Sequence, residues 1–169
     1  MFHVWPWFFD ISSQGWNAEI IKKAGLDPEK APANWDEYLA NAKKVKDSGA
    51  APYGCTYDFH DWRSLLPITH SISLDVYTPD GLFNYTSDAT VEALEIMKQM
   101  FELANPDDNQ EGTTDGGVNG TPDEAVFAAQ QVGYYVKYVN AHVRFASSWP
   151  DPKQLRLAPL PVKTGGAGG

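Results

Sequence analysis

The chain of 169 residues carries one cysteine, Cys55. A single thiol excludes an internal disulfide and a cysteine zinc cluster. No apolar run reaches about 18 residues, so no segment reads as membrane-spanning. Basic side chains are scarce: 13 Lys and Arg against 22 Asp and Glu leave a net charge of −9. Nucleic acid is therefore not expected as a partner, since phosphate binding needs a basic face. The opening "MFHVWPWFF" is apolar, yet it lacks the basic start and small-residue cleavage site of a secretion signal. Met1 is accordingly read as a start that the natural protein need not share. Neither a Gly-x-Ser-x-Gly elbow nor a phosphate-binding loop occurs, and there is no internal repeat.

Hydrophobic residues make up 43% of the chain and aromatics 13%. That composition is globular, and the length suits one domain, residues 1–169, with its own core. Val4 to Ile11 reads as an extended segment interrupted by Pro6. Gly15 to Ala24 reads as a helix closed by a left-handed cap at Gly25 and an apolar contact from Leu26. Asn34 can cap a helix over 34–47, with Glu37 reaching back to the cap's amide. Its face is Trp35, Tyr38, Leu39, Ala42 and Val45.

Pro52 to Tyr57 reads as a short strand. Asp61 is placed to cap a helix running to about Ile72. Ser87 caps another, with Val91, Leu94, Met97 and Phe101 on one side. Asn105 to Gly120 is a polar loop. In "TPDEAVF", Thr121 as cap, Pro122 at the first helical position and Glu124 closing a capping box mark a helix start. "QVGYYVKYV" is β-rich, Asn140 to Ala146 can be a short helix, and "LRLAPLP" reads as a last strand. The order predicts an α/β or α+β domain, helix-rich around a small sheet.

Two runs carry candidate binding residues. In "DFHDWRS", Asp58 to Ser64, the Trp62 ring can stack on the apolar face of a sugar while Asp61 and Arg63 bind hydroxyls. Trp62 as an ordinary core residue is the alternative. In "YVKYVN", Tyr138 and Asn140 end a predicted strand, with His142 just beyond, where ligands gather in α/β folds. The alternative is plain sheet alternation, with Tyr134, Val136 and Tyr138 on one face.

Metal binding is not expected. His60, Asp61 and His70 match no zinc pattern, and "DDNQEG", Asp107 to Gly112, begins like a calcium loop but has Val118 at the twelfth position. No cofactor is implied, and no carboxylate pair or nucleophile stands out, so catalysis is not expected. The sequons at Asn84 and Asn119 read as chance matches.

Four segments resemble one family in order. "KKAGLDPEKAPANWDEYLANAKKVKDSGAAPYG", "SDATVEALEIMKQMFEL", "DEAVFAAQQVGYYVKYVN" and "LAPLPVKTGGAGG" are similar to the extracellular, sugar-binding solute-binding proteins of ABC transporters. Three positions depart: Gln130 stands where the family has glycine, Tyr134 where it often has methionine, and Asn140 where a stacking tryptophan is common. The resemblance implies one lobe of a two-lobed, type II periplasmic-binding-protein-like fold, the second lobe, with hinge strands near 4–11 and 157–162. It implies a carbohydrate or similar polar solute held between this lobe and a missing first lobe. It further implies an ABC permease as partner and a periplasmic or extracellular location, the full-length protein carrying either a lipoprotein anchor or a secretory signal. In that frame Trp5, Trp7 and Trp149 would lack a covering partner. A carbohydrate-active enzyme's accessory domain and an interaction domain without a small ligand are the alternatives.

Overall fold

The structure, a computed structural model, describes residues 11–59, 64–104 and 122–163. Within them, four strands form one mixed sheet in the order β2-β3-β1-β4. These are β1 (Ser12–Asn17), β2 (Tyr53–Tyr57), β3 (Val132–Tyr138) and β4 (Leu155–Pro159). β2 runs parallel to β3, whereas β1 is antiparallel to both β3 and β4. The helices are α1 (Ala18–Lys23), α2 (Trp35–Asp47), α3 (Leu65–Ile72), α4 (Asp88–Leu103), α5 (Pro122–Ala128) and α6 (Val139–Ala146).

β3 has side chains buried on both faces, and each face has its own core. Tyr134 and Val136 point into a cluster with Trp16, Ile21, Tyr38 and Val45, under α1, α2 and α4. Tyr135 points the other way and, with Val132 at the start of β3, packs with Phe127 of α5, Ala146 of α6 and Trp149. The result is three layers with the sheet in the middle. Trp149 is covered, contrary to expectation: it is 4% exposed and its indole N–H donates to the Phe127 carbonyl at 3.2 Å.

The expected helix at Gly15–Ala24 starts later. Ser12 to Asn17 is the strand β1, and only Ala18 to Lys23 is helical. Asn17 decides the boundary, since its side chain accepts the amides of Glu19 and Ile20. Ser-Ser-Gln-Gly-Trp-Asn has little intrinsic β preference; pairing with β3 and β4 on its two sides overrides that. Ser13, Gln14 and Asn17 are buried and each makes a hydrogen bond, the Gln14 Nε2 donating to the carbonyls of Pro32 and Pro159, each at 2.9 Å.

The expected end of α1 is present. Gly25 has φ 71°, its amide bonds to Lys22 O, and the Leu26 amide bonds to Ile21 O, which is the Schellman pattern. Asn34 caps α2, accepting the Glu37 amide at 2.9 Å. The Glu37 carboxylate, however, takes the amide of Ala33 rather than that of Asn34, and also the Lys30 ammonium.

On α4 the expected face is not the buried one. Ala89, Ala93, Ile96 and Met100 are buried, while Val91, Leu94 and Phe101 are exposed; of the expected face, Met97 alone packs partly against the core. The small alanines let the helix lie close over β2, and the stripe of larger residues is turned away. α3 begins after Ser64; the cap proposed at Asp61 lies outside the described residues, as do residues 4–10, the 105–120 loop and Thr121.

Candidate functional site at the edge of the sheet

Because β2 and β3 are parallel neighbours, with Tyr57 opposite Val136, their carboxyl ends lie side by side. β1 starts at the same edge, Ser12 pairing with Tyr138, and β4 ends there, Ser13 pairing with Pro159. One edge therefore gathers residues 57–59, 138–140, 11–13 and 159–162. α/β folds bind ligands at such an edge.

Tyr138 ends β3 and is half-buried, and Asn140 is exposed in the first turn of α6. His142 is fully buried. Its Nε2 lies 3.1 Å from the Tyr135 carbonyl, and its Nδ1 lies 3.0 Å from the Tyr138 carbonyl and 3.4 Å from the Ser13 hydroxyl. The ring fills the space over Gly15, where a Cβ would meet its Cδ2 at 2.2 Å. His142 thus packs the fold and turns no face outward, unlike the cleft-lining role expected of it. Desolvation lowers its pKa; the two backbone hydrogen bonds oppose this and the Lys137 charge adds to it.

Asp61, Trp62 and Arg63 lie outside the described residues, but what flanks them is clear. Phe59 stacks edge-on against Tyr57 and Phe101, and the Tyr57 hydroxyl donates to the Ser64 carbonyl. Ser64 lines a small depression of about 20 Å³ together with Ser12, Asp58, Lys137 and Tyr138. A larger apolar groove of about 560 Å³ continues along the edge between Ile11, His70, Leu74, Val139 and Leu160. A depression of similar size between α2 and α4, about 520 Å³ and lined by Asp36, Glu92, Glu95 and Lys163, lies on the helical face, away from the strand ends.

A charged group at the same edge was not anticipated. The Lys137 ammonium donates to Asp58 at 2.9 Å and to Asp123 at 3.0 Å, and the Tyr135 hydroxyl donates to Asp123 at 2.6 Å. Burial alone would lower the Lys137 pKa; attraction to Asp123 and Asp58 outweighs it and raises the value. Asp58 lay in a run already singled out and Asp123 in a helix start. Nothing in their spacing joins them to Lys137; only the topology does. Among the described residues no three metal-ligating side chains converge, and no helix is long and apolar enough to cross a membrane.

A sheet with helices on both faces in this arrangement is the type II periplasmic-binding-protein-like fold. The profile of the bacterial extracellular solute-binding protein family matches residues 7–169, and the chain belongs to that family of binding proteins. The maltose-bound MalE3 of T. maritima superposes with a TM-score of 0.75 at 22% identity, covering 96% of this chain and 41% of that one. An ABC transporter solute-binding protein of Agrobacterium vitis S4 with bound D-mannitol gives 0.70 at 17% identity, covering 91% and 37%. The sn-glycerol-3-phosphate-binding periplasmic protein UgpB of Brucella abortus is 47% identical over 47 residues, 28% of this chain and 11% of that protein. The chain thus spans well under half the length of these relatives.

Proposed function

We propose that this chain forms one half of a solute-binding cleft, and that the solute is a carbohydrate or a similar polyol delivered to an ABC transporter permease. The observation that supports this most is the shared edge: both ends of the lobe and the carboxyl ends of β2 and β3 meet where Tyr138 and Asn140 stand. A first lobe joined through segments near 4–11 and 157–162 would face that edge, and hinge closure would trap the solute between the two. Trp62 supplies the stacking ring, and Asp61, Arg63, Tyr138 and Asn140 supply hydroxyl contacts; His142 acts only by holding β1 and α6 together. The module binds without turning over its solute. It works in the periplasm or outside the cell.

The test is titration of the longer parent protein with maltose and D-mannitol. Trp62→Ala removes an apolar surface worth roughly 1–3 kcal/mol, about a tenfold to hundredfold loss of affinity. Unchanged affinity in that variant would remove Trp62 from the site. The stretch shared with UgpB favours a second reading, a glycerol phosphate ligand. sn-Glycerol 3-phosphate in the same titration decides between them.

A further inference from the structure

We propose that α3 links the solute edge to the segment after β4, with Ser71 as its positioning residue, a role that rests on the cleft reading above. Past Pro159 the chain leaves the sheet, and on that reading this segment leads to the first lobe. Residues 160–163 are held by the ends of helices instead. The Val162 amide donates to the Ala33 carbonyl and the Val162 carbonyl accepts the Trp35 amide, each at 3.2 Å, which makes a parallel bridge at Asn34. The Lys163 amide donates to the Ser71 carbonyl at 3.3 Å. Ser71 also meets α2: its hydroxyl accepts the Trp35 indole N–H at 2.8 Å and donates to the Ile68 carbonyl at 2.7 Å. Trp35 is 2% exposed, so its indole has no ready partner in water should the serine go. One serine thus ties the start of α2, the last turn of α3 and the segment after β4.

The other end of α3 stands at the solute edge. Ser64, which precedes the helix, is buried, accepts the Tyr57 hydroxyl on its carbonyl and lines the small depression with Ser12 and Tyr138. α3 is eight residues long, about 12 Å at about 1.5 Å per residue. Ile68 and Thr69 are buried in its middle, and the Thr69 hydroxyl donates to the Leu65 carbonyl at 2.9 Å. A helix so short and so held moves as one piece, and coupling between sites is carried by such elements. Whatever fixes its start at the edge therefore restrains Ser71, and through Ser71 the 160–163 segment. Linkage makes the effect reciprocal: holding the segment favours the solute by the same factor. Ser71 thus acts on the solute through α3, from the far end of the helix.

The experiment is amide hydrogen exchange on the parent protein, with and without saturating maltose, D-mannitol or sn-glycerol 3-phosphate, together with titration of the same solutes. In the wild type, the solute it takes should slow exchange at least about threefold both in 64–68 and at the amides of Leu160, Val162 and Lys163. In Ser71→Ala the protection of 64–68 should remain and that of 160–163 should vanish, and affinity should fall by the factor lost, at least about threefold. Trp35→Phe, which keeps a ring and removes the donor, should do the same, and the double variant should lose no more than either. Lys163→Met cuts only the exposed pair with Glu92, at 2.6 Å, and should leave both readouts unchanged. A serine with a merely structural role would, when lost, speed exchange with and without solute alike and leave the solute's effect in place. No protection of 160–163 in the wild type, protection that survives Ser71→Ala, its loss in Lys163→Met, or unaltered affinity in Ser71→Ala would each overturn the proposal. If the wild type takes none of the three solutes, the cleft reading fails on its own. Exchange without solute then still decides whether Ser71 holds the segment: Ser71→Ala should speed 160–163 at least about threefold while β3 keeps its rates, and equal rates would overturn that tie.

Discussion

Gln130 holds φ 56°, the left-handed region that costs an L-residue about 1–2 kcal/mol. It is the last cap of α5: its amide bonds to Phe127 O and that of Gln131 to Val126 O, the same Schellman pattern as at Gly25. Glycine was expected at this place in the family pattern, and the backbone shows why. The glutamine has its own compensation, because its Oε1 accepts from the Asn17 amide at 2.9 Å, worth about 1 kcal/mol. Gln130→Ala keeps the strain and loses the bond, so urea unfolding should show about 1 kcal/mol lost. Gln130→Gly loses the bond and relieves the strain, and should fall within about 0.5 kcal/mol of wild type. Equal losses in the two variants would show that the strain is not felt. His142 gives a second prediction at this scale. Its folded pKa is lowered, chiefly by desolvation, so the unfolded chain takes the proton first. The stability contributed by the neutral ring is complete above the ordinary histidine value of about 6.5 and is lost as the pH falls from there through the folded value. Thermal midpoints of wild type and His142→Gln should therefore converge as the pH drops from about 7.5 to about 5.5. A constant gap would mean that the ring does not titrate with folding.

At the scale of elements, capping signals were readable and faces were less so. Asn34 and Ser87 each cap the helix they were expected to open, because a side-chain oxygen meeting an amide two or three residues on is a local event. Asn34→Ala should cost about 1 kcal/mol by chemical denaturation; a change near zero would mean that the bridge between Asn34 and Val162 anchors the end of α2 instead. Strands β2, β3 and β4 were legible for a similar reason, since their β-rich or apolar runs end at turn residues. β1 was not. Its Ser13, Gln14 and Asn17 are buried polar residues with partners on His142, on Pro32 and Pro159, and on Gln130 respectively, and no periodicity encodes partners so distant. α4 carries two apolar stripes, and hydropathy favours the larger residues, while packing against β2 selects the one with alanines. The edge was foreseen from strand ends, and Tyr138 and Asn140 stand on it. Lys137, Asp58 and Asp123 were missed as a group because three charges in separate segments look, in sequence, like ordinary solvated side chains.

For the described residues as a whole, the decisive geometry is that β1 begins and β4 ends on one side. Ser13 and Pro159 are direct neighbours across β1 and β4, although nearly all of the described residues lie between them in sequence. Under the proposed two-lobed reading, a second lobe attached through both would rock about that line, as hinge closure requires. The apolar groove beside the line exposes Ile11 at 61% and Leu74 at 71%, more than an edge facing only water would favour. If the solute is held between two such lobes, its binding free energy is divided between them. A parent protein with a dissociation constant of about 1 μM has about −8.2 kcal/mol to divide; an even share, about −4.1 kcal/mol, corresponds to about 1 mM. The 169-residue chain alone should then bind maltose or D-mannitol about a thousandfold more weakly than the parent, with heats near the limit of calorimetric titration. It should also show no closure, so its small-angle scattering profile should be the same with and without solute. Micromolar binding by the isolated chain would instead place a complete site within this lobe, and the shared edge would then be a junction rather than half of a cleft.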